Sequence, residues 1–168
     1  VGDDCFGVIS TWGARRYWGS RDVRLLSDRP LVGPVATVSC LSTRRHFRGQ
    51  WLPESIWQIA RASCVIWSGG SIFHSRQPLY APRFLSGVAS RIGLTPAGAI
   101  GVSLGPYRSN EHRQAVHRGL RNLRFLALRD RESYDEACTL DLPYLPVLAA
   151  DLALLLPKVI PGKPQGTR

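Results

Sequence analysis

The sequence predicts an α/β domain: a parallel sheet with helices on both faces. Three observations carry this. Short apolar runs recur at residues 64–67, 99–104 and 125–128. The segments between them space their apolar residues at helical intervals. Each run also stops at a glycine or an aspartate that can turn the chain or cap a helix. Strands buried on both faces read as near-continuous apolar runs, and parallel neighbours need a long crossover between them.

Taken in order, the first element is a helix from Asp3 or Asp4 through Tyr17, although Gly7 and Gly13 oppose it. Residues 23–26 and 35–41 read as strands. Pro53 opens a helix at its first position, and Ile56, Ile59 and Ala60 form its inward face. The run at 64–67 is a buried strand broken by the turn Ser68-Gly69-Gly70. From Pro82 a helix sets Leu85, Val88, Ala89 and Ile92 on one face, with Gly93 as its stop. Residues 99–104 form the next strand, closed by Gly105-Pro106.

Ser109 or Asn110 caps the following helix, with Glu111 early and Arg118 and Arg121 late, an order that suits the helix dipole. Val116, Leu120 and Leu123 point inward. After the strand at 125–128, Asp130 caps a helix in which Ser133 joins the capping arrangement. Tyr134, Ala137 and Cys138 share a face there, and Pro143 marks the end. Residues 145–148 lead into the apolar stretch 152–156.

The 168 residues suffice for one well-packed core, assigned to residues 1–156. The Pro- and Gly-rich tail 157–168 reads as a linker toward a further, C-terminal domain. The start at Val1 without any methionine likewise suggests a piece of a longer protein. No apolar stretch is long enough for a transmembrane helix, and no signal peptide is visible, so a cytoplasmic protein is expected. Cys5, Cys40, Cys64 and Cys138 show no CxxC spacing and read as buried, reduced thiols rather than a zinc site or disulfide frame.

The net charge of +10 comes almost wholly from arginine. A basic excess suits nucleic acid, an anionic surface or an anionic substrate. The arginines are dispersed, without a run of like charges or the aromatic-basic motif of an RNA-binding sheet. A nucleic-acid-binding module is therefore the rival from another class, and no nucleic-acid partner is expected. Dinucleotide and P-loop motifs are missing.

In open parallel sheets, ligands bind beyond the carboxyl ends of the strands. That rule selects Ser68-Gly69-Gly70-Ser71, Gly105-Pro106-Tyr107-Arg108, Arg129-Asp130 and Ala150-Asp151. Glycine admits a ligand close to the backbone, and Arg108 and Arg129 bring positive charge to the same edge.

Five segments in this order resemble the polysaccharide pyruvyl transferase family: Gly2-Asp3-Asp4, residues 65–74, residues 101–106, residues 128–134 and residues 150–153. The resemblance spans Gly2 to about Leu156. It implies a Rossmann-like half of a two-domain, glycosyltransferase-B-like architecture. It further implies transfer of the pyruvyl group of phosphoenolpyruvate, a co-substrate with no resident cofactor or metal, to sugar hydroxyls. The acceptor would be a bacterial exopolysaccharide or cell-wall glycan, lipid-linked at the inner face of the membrane in some cases. The alternative within the enzyme class is a nucleotide-sugar glycosyltransferase of similar fold.

His74 and Arg129 correspond to catalytic groups under this resemblance. Histidine titrates in the range that general acid–base work needs, and arginine holds carboxylate or phosphate by a fork of donors. Asp4, Gly69, Gly70, Ser71, Arg108 and Asp151 are the candidate substrate-binding residues. His46, His112 and His117 are expected to be solvated, and the tryptophans to serve as core or interface residues.

Overall fold

The computed structural model describes residues 2–26, 39–40, 51–73 and 82–160. The chain divides into two compact units, one of Val1–Thr43 with Leu152–Arg168 and one of Arg44–Asp151.

In the first unit, helix α1 (Gly2–Trp18) lies against a 3₁₀ turn (Leu152–Leu155) and the short helix α6 (Leu156–Val159). Val8, Ile9 and Ala14 are its buried apolar residues. The Thr11 hydroxyl donates to Gly7 O at 2.8 Å, which satisfies a buried polar group inside the helix. The helix starts at Gly2, so Asp3 and Asp4 fall within its first turn and not at its cap. Strands β1 (Arg24–Leu25) and β2 (Ser39–Cys40) pair in parallel and are shorter than the expected runs 23–26 and 35–41. Residues 35–38 and 41 lie outside the described residues.

The second unit contains helix α2 (Trp51–Arg61), strand β3 (Val65–Gly70), helix α3 (Pro82–Arg91) and strand β4 (Ala97–Val102). Helix α4 (Asn110–Leu120), strand β5 (Phe125–Leu128), helix α5 (Arg131–Cys138) and strand β6 (Val147–Leu148) follow. The four strands form one parallel sheet in the order β3-β4-β5-β6, flanked by helices. Strand β6 has only two residues, too few for any periodicity to reveal it.

Burial alternates along β5: Leu126 and Leu128 are fully buried, while Phe125 and Ala127 are half-buried. The buried side joins Ala97, Ala99 and Val102 of β4 to Val116 and Leu120 of α4, Leu123, and Ala137 of α5. Phe73 and Leu104 complete this core. The inward residues expected of α4 therefore point inward. Ser109 caps that helix by accepting the N–H of His112, and Asp130 caps α5 by accepting that of Ser133.

Two helices turn a different face inward than their apolar spacing suggests. On α3, Ser86, Gly87, Ala89 and Ser90 are buried, whereas Val88 is 39% and Ile92 70% exposed. A polar contact fixes this face. Trp67 Nε1–H donates to Ser86 Oγ at 2.9 Å, which ties the small-residue side of α3 to β3. On α2, which begins two residues before Pro53, Ser55 and Ile59 are buried while Ile56 and Ala60 are exposed. Thr95 reaches across to donate to Ile59 O at 2.9 Å, fixing the inward side of that turn. Gly93 ends α3 as expected, with φ of 77° and its N–H on Ser90 O.

The thiols are a further correction. Cys64 and Cys138 are exposed and Cys5 is partly so, all three unpaired by disulfides. Cys64 precedes β3 instead of lying in it, and Cys138 ends α5 on the outer side of the buried Ala137.

Candidate functional site

Because β3, β4, β5 and β6 are parallel, the residues that follow each of them collect at one edge of the sheet. Ser71, Ser103, Arg129 and Asp151 follow the four strands in turn. Arg129 links them. Its Nε–H donates to Ser103 Oγ at 2.6 Å, Nη1 pairs with Asp151 Oδ2 at 2.9 Å, and Nη2 lies 3.4 Å from Ser71 Oγ. Both members of the ion pair are partly sheltered, with side chains 26% and 34% exposed.

The alignment has a backbone cause. Pairing runs Ile100↔Ala127 and then Val102↔Leu128, so Gly101 is an extra residue in β4. It adopts φ of 62°, which only glycine takes without strain. Strand β3 matches the step, pairing Ser68 with Ile100 and Gly70 with Val102, and Gly69 has φ of 68°. Ser68-Gly69-Gly70 is thus the end of a strand, not a turn that breaks it. The two kinks together advance Ser71 and Ser103 to the level of Arg129.

A second layer of bonds holds this row. Ser103 Oγ–H donates to Asp130 Oδ2 at 2.6 Å, and Asp130 Oδ1 accepts the Ser133 N–H at 2.8 Å. Ser133 Oγ accepts the buried N–H of Leu104 at 2.8 Å. Partial burial works to raise the Asp130 carboxyl, but hydrogen bonds from Ser103 and Ser133 and the charge of Arg129 hold it below the usual range. Beneath β3, Arg83 Nη1 donates to Ile72 O at 2.7 Å and steadies the chain after Ser71. Burial lowers the Arg83 pKa, yet a guanidinium stays charged.

Of the residues selected from sequence, the structure brings Ser71, Arg129 and Asp151 together. Gly69 and Gly70 end the strand beside them. Arg108 lies in the segment after β4, its side chain exposed and its N–H donating to His112 Nδ1 at 3.3 Å. His74 and the side chain of Asp4 lie outside the described residues. His46 does so too. His112, expected to be solvated, is 9% exposed and packs edge-on against Tyr107 with ring centroids 5.8 Å apart. Burial, then the nearby Glu136 charge, pushes the Tyr107 hydroxyl up to about 12 against an opposing effect of Arg113. His117 is half-buried, its Nε2 at 3.3 Å from Asp141 O. Trp67 fits its core role, while Trp18 is 53% and Trp57 58% exposed.

Sequence reasoning missed Ser103, Asp130 as a site carboxylate, and Arg83. Ser103 falls inside the run 99–104 expected as a strand, whereas β4 is Ala97–Val102, which makes Ser103 the first residue beyond the strand end.

The family model for polysaccharide pyruvyl transferase matches residues 12–167, nearly the whole chain. The chain belongs to the polysaccharide pyruvyl transferase family. Neither the curated proteins nor the solved structures gave a match. Membership implies a transferase with a pyruvyl donor and a glycan acceptor. Among the described residues, no helix is long and apolar enough to cross a membrane.

Proposed function

We propose that the protein transfers the pyruvyl group of phosphoenolpyruvate onto two hydroxyls of a glycan, forming a ketal, with Arg129 receiving an anionic group of the donor. Family membership supports the reaction class. The observation that carries the site is the guanidinium of Arg129, fixed at the strand-end edge by Ser103, Asp151 and Ser71. A fork held at all three of its nitrogens has lost its rotamer freedom already, so an incoming carboxylate or phosphate meets an ordered partner.

The chemistry asks for proton movement as well. One sugar hydroxyl bonds to C2 of the donor and loses its proton, while the methylene gains a proton and becomes methyl. The C2–O bond to phosphate then breaks, phosphate departs, and a second hydroxyl closes on C2 and loses its proton. His74 is the proton carrier in this reading, because imidazole titrates near neutrality. Asp151 hands Arg129 over: its ion pair satisfies the guanidinium until the donor arrives. Gly69, Gly70 and Ser71 would admit the donor close to backbone, and Arg108 would add positive charge.

The acceptor in this proposal is a bacterial exopolysaccharide or cell-wall glycan, presented in the cytoplasm at the inner membrane face. A C-terminal domain in a glycosyltransferase-B-like arrangement would supply the other wall of the cleft, and Asp4 is a further substrate-binding candidate in this reading. No resident cofactor is required.

Steady-state kinetics test the roles. Arg129→Ala should raise KM for phosphoenolpyruvate by about 10- to 100-fold, the worth of a charge-assisted hydrogen bond. His74→Ala should instead lower kcat by ~10²–10⁴-fold, with little change in KM. If both variants match the parent, the site assignment is wrong.

A further inference from the structure

Arg129 stands close to two carboxylates but is bonded directly to one. Between its Nε and Asp130 lies the hydroxyl of Ser103, 2.6 Å from each. We propose that Ser103 is a positioning residue for the transfer, a hydroxyl spacer that keeps Asp130 from neutralising Arg129 and aims the guanidinium at the donor. The proposal rests on the reading of Arg129 as the donor's anion contact.

The orientation of the spacer is forced. Arginine only donates and an ionised carboxylate only accepts, so the single Ser103 proton must go to Asp130 and a lone pair to Arg129. Ser103 is 8% exposed, which leaves water little chance to replace either bond. Asp130 cannot swing away, because its other oxygen caps α5 through Ser133 N–H. Two bonds of this length put Nε and Oδ2 no more than about 5 Å apart, where opposite charges in a sheltered setting attract strongly. Without the hydroxyl, a small rotation would join them directly. The fork would then turn from Asp151 and Ser71 toward the helix cap, and its charge would be spent.

The kinked strand supports this placement. In a regular β4, Val102 would stand beside Arg129; the extra residue Gly101 puts Ser103 there instead. The kink thus places a hydroxyl where an apolar side chain would otherwise come.

The test compares KM for phosphoenolpyruvate, a ratio that does not depend on the fraction of enzyme that is active. Ser103→Ala should raise KM about tenfold with kcat changed less than threefold. Ser103→Thr, which keeps the hydroxyl, should stay near the parent. Ser103→Ala with Asp130→Asn should recover most of the lost affinity, since asparagine still caps a helix but carries no charge. An unchanged KM in Ser103→Ala, or no recovery in the double variant, overturns the spacer. Arg129→Ala run alongside separates the two ideas: if it too leaves KM unchanged, the donor-site reading has failed. Should Ser103→Ala not fold, Ser103→Cys carries the same test with a weaker, longer hydrogen bond.

Discussion

Asp130 performs two jobs with its two oxygens: Oδ1 caps α5 and Oδ2 holds the Ser103 hydroxyl. The cap was legible, because capping is local and Asp-x-x-Ser sits just ahead of a helical pattern. The second bond was not, since Ser103 and Asp130 are 27 residues apart and meet only when β4 and β5 pair. His112 shows the same limit. A polar residue in a helix's first turn reads as solvated, yet here the chain before α4 folds over it. The Asp130 shift has a consequence for stability. Its carboxyl is held below the ordinary 3.8, so the unfolded chain takes up this proton first as pH falls. The stability it confers is complete above that ordinary value and is lost as pH drops through the lower, folded one. Denaturant melts at a series of pH values should show the parent more stable than Asp130→Asn at neutrality by a constant margin. Below the ordinary aspartate range the margin should shrink. A margin independent of pH down to full protonation would mean the carboxylate charge does nothing for the fold.

Elements that stood out in the sequence were those whose interior side is apolar at a regular interval. Strand β5 and the inward face of α4 met that condition, with Leu126, Leu128, Val116 and Leu120 all buried. Helix α3 did not, because its buried face is made of small and polar residues: Ser86 bonds Trp67, and Gly87, Ala89 and Ser90 are buried beside it. A position that does demand a small residue is Gly98 in β4. The ring of Phe125 on the neighbouring strand lies over it, so an added Cβ would fall 2.2 Å from Phe125 Cε1. Gly98→Ala should therefore destabilise the protein by about 1–3 kcal/mol, the usual cost of overpacking. Chemical denaturation measures it. Adding Phe125→Leu should return part of the loss, because the smaller side chain vacates the space. If the two changes simply add, the ring is not what makes residue 98 glycine.

At the scale of the whole molecule, the +10 charge is the feature that composition left most ambiguous. The structure shows where part of it goes. Arg113 pairs with Glu136, Arg121 with Asp141, Arg131 with Asp135 and Arg129 with Asp151. Arg83 gives an N–H of Nη1 to the Ile72 carbonyl. Arginines tied to their own chain in this way are poorly placed to line up along a phosphate backbone. A nucleic-acid binder that neutralises several phosphates loses about 10³–10⁵ in affinity between 50 and 200 mM salt, because each contact releases a condensed counterion. A small anionic donor held by one sheltered guanidinium obeys a different rule. It releases no condensed counterions, and partly buried charges are screened much less than exposed ones. Binding of phosphoenolpyruvate, followed by calorimetry across that salt range, should therefore weaken by less than about tenfold. Binding to a DNA or RNA duplex should be weak at the lowest salt and vanish before the highest. Tight duplex binding that survives moderate salt would transfer the functional weight of the basic surface from an anionic pyruvyl donor to nucleic acid.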